Sequence, residues 1–156
     1  MEKEKKIVDL AGKYLTFRLA EEVYGLESLK VHEIISIIQI TKLPKMEDYI
    51  RGVMNLRGSI IPIIDFRLKC GMPSVEDTEE TCIIVLEFEE NKETITIGVV
   101  VDAVCDVKDI ENKEIEATPN LGSSANAEFV KGIAKQDSSI IMLVDMEKAF
   151  SNQGEI

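Results

Sequence analysis

A mostly β chain in two matching halves is what this sequence predicts, and three observations carry that reading. The run Tyr49-Ile-Arg-Gly-Val-Met-Asn-Leu-Arg-Gly-Ser-Ile-Ile-Pro-Ile-Ile-Asp-Phe66 recurs eighty positions later, without a gap, as Phe129-Val-Lys-Gly-Ile-Ala-Lys-Gln-Asp-Ser-Ser-Ile-Ile-Met-Leu-Val-Asp-Met146. Five of the eighteen paired positions are identical (Gly52/Gly132, Ser59/Ser139, Ile60/Ile140, Ile61/Ile141, Asp65/Asp145), so the chain is an internal duplication. Apolar residues also alternate with polar ones over several short runs, the two-residue period of half-buried strands. Finally, 156 residues can bury roughly 70% of their unfolded surface, enough for one packed unit or two small cores. About five short strands per half make the expected architecture two small, SH3-sized barrels related by a pseudo-twofold, with a few short helices.

In chain order, residues 1–12 read as a flexible tail. Leu15, Phe17 and Leu19 then alternate with Tyr14, Thr16 and Arg18, which makes a strand. Tyr24-Gly25-Leu26 and Val31-His-Glu33-Ile34 follow, and residues 37–40 are a further β-rich run. Two more strands, 49–54 and 59–64, flank Asn55-Leu56-Arg57-Gly58, where Asn first and Gly fourth suit a type I turn closing into a bulge. Gly52 inside a strand costs stability unless a bulge or a neighbouring backbone needs the room; its recurrence as Gly132 makes the pair architectural. Pro62 cannot donate to a ladder, so its strand is bulged there or lies at a sheet edge. Asp65 is placed to cap a helix over 66–70, which Gly71 ends.

The polar stretch 73–80 joins the halves. Beyond it, 81–87 and 95–101 read as strands, the second with Ile95, Ile97, Val99 and Val101 on one face and Glu89-Glu-Asn91 as the turn before it. Residues 129–134 and 139–144 repeat the earlier hairpin, Asp145 caps 146–150, and 151–156 read as a second tail. If loops differ in length, the repeat extends upstream. Tyr24-Gly25-Leu26 and Val31-His-Glu33-Ile34 pair with Ile97-Gly98-Val99 and Val104-Cys-Asp106-Val107, and Pro44 pairs with Pro119. The two barrel halves are thus 13–72 and 81–150.

Composition excludes several function classes. A formal charge of −11 repels phosphate backbones and anionic lipid, and the absence of tryptophan removes stacking platforms, so neither nucleic acid nor direct membrane binding is expected. Cys70, Cys82 and Cys105 are odd in number and form no Cys-x-x-Cys, which fits a reducing cytoplasm and indicates neither disulfides nor zinc. No run approaches the ~20 apolar residues of a membrane span. His32, the sole histidine, lacks an accompanying nucleophile motif and reads as structural rather than as a catalytic base. Gly12-Lys13 is no phosphate loop, and neither metal nor cofactor is implied. Asp65 and Asp145, superficially a carboxylate pair, read as equivalent helix caps.

What remains is the corner where the copies differ. Leu56 and Arg57 project from the first hairpin tip, while the second makes the same connection with Lys135, Gln136, Asp137 and Ser138. An apolar residue beside an arginine at an exposed tip suits a protein contact, because arginine both stacks and bonds bidentately. The bland alternative is a salt bridge from Arg57 that merely steadies the tip.

Tyr14-Leu-Thr-Phe-x-Leu, Tyr24-Gly25-Leu26, Val31-x-Glu33-Ile34, Leu43-Pro44 and Gly52-Val-x-Asn-Leu-Arg-Gly-x-Ile-Ile-Pro-x-Ile-Asp65 closely resemble the CheW family of chemotaxis coupling proteins. The second half continues the likeness with Ile97-Gly98-Val-Val-Val101-Asp102-x-Val104-x-x-Val107, Pro119, Gly132 and Ile-x-Leu-Val-Asp145-Met-Glu-Lys148, although Thr118-Pro119 stands where the family often has two prolines. The resemblance implies two five-stranded SH3-like barrels packed about a pseudo-twofold and a non-catalytic cytoplasmic adaptor, recruited to the inner face of the membrane through receptor arrays. Its implied partners are the helical-hairpin tip of chemoreceptors, taken in the groove between the barrels, and the regulatory domain of the histidine kinase CheA.

Carried over by position, the receptor side is Val31, Glu33, Gly52, Arg57, Ile83, Gly98, Val104 and Val107, with Leu56 added from its place at the tip. The kinase side falls at Gln39, Ile40, Thr41, Lys42, Leu43 and Pro44. Glu33 is the natural partner for Arg57, in a pair that orients the tip. Two rivals stand beside this reading: a CheW-like adaptor of another chemosensory pathway, and a small-ligand or enzyme barrel using His32. The chain ends close after the second repeat, so no receiver domain is expected.

Overall fold

The computed structural model describes residues 10–116 and 129–150. Pro119 and the tail from 151 lie outside the described residues, as do the first nine residues of the other tail, whose last member Gly12 already opens a strand. The first copy supplies strands β1 (Gly12–Leu19), β2 (Glu22–Glu27), β3 (Val31–Ser36), β4 (Ile50–Leu56) and β5 (Ser59–Asp65), then a helical turn α1 (Phe66–Lys69). The second supplies β6 (Cys82–Glu90), β7 (Glu93–Val101), β8 (Ala103–Ile110), β9 (Ile115–Glu116), β10 (Val130–Gln136) and β11 (Ser139–Val144), then α2 (Met146–Phe150). The chain is mostly β with few short helices, in a six-stranded sheet ordered β8-β1-β2-β11-β10-β9 and a five-stranded sheet ordered β3-β6-β7-β5-β4.

The two orders are one plan with the copies exchanged, since β3, β6, β7, β5 and β4 are the repeat counterparts of β8, β1, β2, β11 and β10. Each sheet joins a hairpin of one copy to a hairpin of the other through a parallel contact: Ile63↔Gly98 to Asp65↔Val100 between β5 and β7, and Ile141↔Val23 to Leu143↔Gly25 between β11 and β2. The compact units are accordingly Lys30–Val104, and the residues up to Leu29 with those from Cys105 onward. They cut across the repeats at 13–72 and 81–150. The repeat marks what was duplicated; hairpin exchange decides what packs together.

Within each unit the chain leaving one sheet edge comes round to the other. From β8 it passes through a 3-10 turn, Asn112–Glu114, to β9, which pairs with β10. From β3 it reaches Thr41, whose N–H donates to the Val53 carbonyl at 2.9 Å and whose carbonyl accepts from Val53 N–H at 2.8 Å. Residues 37–40 are therefore a crossing and not the strand their composition suggests. The β3 ladder stops at Ser36↔Cys82, where β6 begins. Ile37 and Ile40 instead pack on the buried cluster Met54, Ile61, Ile63, Ile83, Val85 and Val100.

The crossing explains Gly52. A Cβ there would lie 2.1 Å from the Thr41 carbonyl oxygen, φ is +146°, and β4 is bulged between Ile50 and Gly52. Pro62 is neither bulged nor on an outer strand. Val53 directs its N–H and C=O to Thr41, so opposite Pro62 it forms a non-hydrogen-bonded pair, and the missing proline N–H faces the side where pairing with β7 starts only at Ile63.

The turn expectation also changes. The ladder runs unbroken to Leu56↔Ser59, leaving Arg57 (φ +51°) and Gly58 (φ +91°) as a two-residue loop with both φ positive, as in a type I′ turn. That hand matches strand twist, and Asn55 Oδ1 accepts from Gly58 N–H at 2.8 Å. Asp137 (+47°) and Ser138 (+69°) repeat it. Both caps stand as expected, Asp65 accepting from Leu68 N–H and Asp145 from Lys148 N–H. Gly71 (φ +83°) ends α1 with bonds from Gly71 N–H to the Leu68 carbonyl and from Met72 N–H to the Arg67 carbonyl.

Candidate functional site

Arg57 and Glu33 come from opposite margins of the five-stranded sheet, Glu33 on β3 and Arg57 at the β4–β5 tip. The guanidinium closes a fork on the carboxylate, Nη1 donating to Oε2 at 2.5 Å and Nη2 to Oε1 at 2.8 Å. The Arg57 side chain remains 68% exposed against 20% for Glu33, so the pair is anchored on one side and open on the other. The hydrogen bonds from Arg57 hold the Glu33 carboxyl below the usual carboxylate range. Two of five guanidinium N–H groups are spent on this fork, leaving the outer ones for an acceptor on a partner.

The second copy cannot build the same feature. Its counterparts to Glu33 and Arg57 are Asp106 and Asp137, two acids. Asp106 turns to β1, where the buried Thr16 hydroxyl donates to its Oδ1 at 2.8 Å and accepts from its N–H at 3.1 Å. The copies thus diverge where the sequence comparison placed the special corner.

The other expected receptor-side residues separate by burial. Val31 and Val104 are half-buried and Val107 is 54% exposed; Val107 belongs to the other compact unit. Leu56 does not project freely, but leans on the cluster containing Ile61 and Ile83. Ile83 and Gly98 lie inside the unit: Ile83 has no exposure, and a Cβ on Gly98 would sit 2.6 Å from Ile63 Cδ1 and 2.8 Å from Ile83 Cγ2. Gly52 is buried as well.

His32 joins the corner, which sequence reasoning missed. It is the extra residue of a bulge between Val31 and Glu33. Its Nδ1 lies 2.9 Å from Glu87 Oε2 on β6, and its Nε2 lies 3.7 Å from the Glu33 oxygen that Arg57 Nη1 holds. The signal available in the sequence was weak, because β3–β6 pairing links residues far apart in the chain.

Of the expected kinase-side residues, Ile40, Lys42 and Leu43 line an open groove of about 670 Å³ within the same unit, whereas Gln39, Thr41 and Pro44 do not. Ile38, Leu43 and Val75 expose large apolar side chains there. At its floor Arg51 bonds both carboxylate oxygens of Asp77 at 2.9 Å and lies 3.3 Å from the buried Asp65, so Asp65 is cap and counter-ion together. This clamp ties the inter-repeat stretch to β4. Lys131, the counterpart of Arg51, pairs with Glu27 instead.

The three cysteines are free, and burial pushes the Cys70 thiol up to about 12. Among the described residues no group of three or more His, Cys, Asp or Glu is arranged to hold a metal ion, and no helix is long and apolar enough to cross a membrane.

Comparison with known proteins converges on one family. Residues 13–154 match the model of the CheW-like domain. A chemotaxis protein CheW of Klebsiella aerogenes is 37% identical over 140 residues, spanning 90% of this chain and 82% of the relative. One from Bacillus subtilis is 31% identical over 133 residues, spanning 85% and 83%. The crystal structure of the scaffolding protein TtCheW from Thermoanaerobacter tengcongensis superposes with a TM-score of 0.79 at 36% identity, covering 93% of this chain and 96% of that one.

Proposed function

Because the chain belongs to the CheW-like domain family, we propose that it is a non-catalytic scaffold of bacterial chemosensing which couples chemoreceptors to the histidine kinase CheA. The receptor side is the Arg57 corner: Arg57, Glu33, Leu56 and Val31 meet the helical-hairpin tip, while Gly52, Ile83 and Gly98 act through the shape of the sheet; Val104 and, on the other unit, Val107 are further receptor contacts by their position in the family pattern alone. The kinase side is the apolar groove beside residues 39–44, which offers a regulatory domain Ile38, Leu43 and Val75. In this reading the protein resides in the cytoplasm and reaches the inner face of the membrane through its receptors.

The observation that carries the proposal is the Glu33–Arg57 fork. A steadying bridge alone would serve either hairpin equally, yet only one copy has it, with the arginine left largely open. An arginine aimed by a carboxylate and still carrying unused donors is pre-organised for capture, and this lowers the ordering cost of binding. Coupling between receptor and kinase would then follow from how the two binding equilibria depend on each other.

The test is Arg57→Asp. Asp137 occupies the equivalent backbone conformation in the second copy, so the turn accepts aspartate. Pull-down with a soluble chemoreceptor cytoplasmic fragment should fall by about tenfold or more, while circular dichroism and binding to the kinase regulatory domain stay unchanged. Wild-type retention of the receptor fragment would refute the assignment of Arg57.

A further inference from the structure

His32 is the one singular residue that the adaptor reading does not absorb. It stands at the bulge of β3 with a carboxylate facing each ring nitrogen, Glu87 on Nδ1 and Glu33 on Nε2. We propose that His32 is a positioning residue that makes partner binding at the Arg57 corner depend on pH, with protonation strengthening the capture of a helical partner that offers carboxylate or carbonyl oxygens. The proposal rests on the receptor-binding reading above.

The geometry sets the sign. A nitrogen 2.9 Å from a carboxylate oxygen carries the proton, so neutral His32 has Nδ1–H toward Glu87 and a lone pair on Nε2 toward Glu33 Oε2. That second contact sets acceptor against acceptor. Protonation places an N–H on Nε2 and turns the contact attractive. Glu33, already bonded by Arg57, then has an imidazolium 3.7 Å from the same oxygen, and the added attraction favours the position from which it aims the arginine.

Local charge moves the same way. The charged groups within reach of His32 are Glu33 on its own strand and Glu87 on β6; Arg57 reaches the same Glu33 from the β4–β5 turn, Glu89 lies two residues along β6 from Glu87, and Lys30 lies just before β3. Glu33, Glu87 and Arg57 sum to one negative charge, which a protonated histidine cancels. An acceptor-bearing partner then approaches a neutral corner of a strongly acidic protein.

The experiment measures the affinity of the full chain for a soluble chemoreceptor cytoplasmic fragment between about pH 8 and about pH 6 at fixed salt near 0.15 M, for wild type, His32→Gln and Glu87→Gln. Wild type should tighten by about threefold toward the lower pH, as expected for one charge some ångströms away in water. His32→Gln should lose that dependence and Glu87→Gln should reduce it. A slope that persists in His32→Gln belongs to the partner and overturns the inference, as does a wild-type affinity indifferent to pH. Either result leaves the corner reading intact where Arg57→Asp still weakens binding by about tenfold or more. Absence of wild-type binding at every pH removes both.

Discussion

Glu33 shows how much one residue's neighbours decide. As a strand glutamate it would be one of many surface acids, but a bidentate arginine across the sheet makes it half of a fixed fork. Because Arg57 lowers its folded-state pKa, the stabilising link is present above the unfolded glutamate pKa and is lost as pH falls through the lower folded value. Carboxyl-resolved NMR titration should place the Glu33 midpoint below that of ordinary glutamates, and Arg57→Ala should return it upward. An unmoved midpoint would mean that the fork is not formed in solution. The pairing was readable in the sequence through complementary charge and through the mismatch between copies. His32 with Glu87 was not, because nothing local announces which residue a bulge will turn toward a neighbouring strand.

Elements with a local physical cause were the legible ones. Asp65, Asp145 and Gly71 act within a few residues of themselves, and the strands followed from a two-residue period. Residues 37–40 misled because the same β-branched composition serves a strand or an inward-packing crossing; only the end of β6 at Cys82 decides. The turn misled because its Asn and Gly suit two geometries, separated here by strand twist. The duplicated glycines give a quantitative check on the crossing. Gly52→Ala should cost more than about 1 kcal/mol, because a positive φ and a backbone oxygen 2.1 Å from the new carbon both oppose it. Gly132→Ala should cost less, since its nearest neighbours are ends of side chains, Leu10 Cδ1 at 3.1 Å and Ile115 Cγ2 at 3.2 Å. Equal shifts in chemical denaturation would rule out the Thr41 crossing as the reason for Gly52.

At the scale of the molecule, hairpin exchange makes the compact unit differ from the repeat. Lys30–Val104 holds all five strands of one sheet on continuous chain. Residues 13–72 hold β3, β4 and β5 but lack β6 and β7, which lie between them in that sheet. The fragment 30–104 should therefore unfold cooperatively as a monomer, and 13–72 should show no cooperative transition; a folded monomeric 13–72 would mean that the copies pair within themselves. The sequence by itself determined that this chain is a duplicated β protein, where its strands and caps lie, and which corner distinguishes the copies. All of these are properties of periodicity, local chemistry and comparison along one chain. Only the tertiary structure decided which hairpin pairs with which, because the duplicated strands present nearly the same faces and either pairing satisfies the same hydrophobic pattern. It also decided that Ile83 and Gly98 are interior and that His32 belongs to the corner, since burial and contact across strands depend on partners distant in sequence.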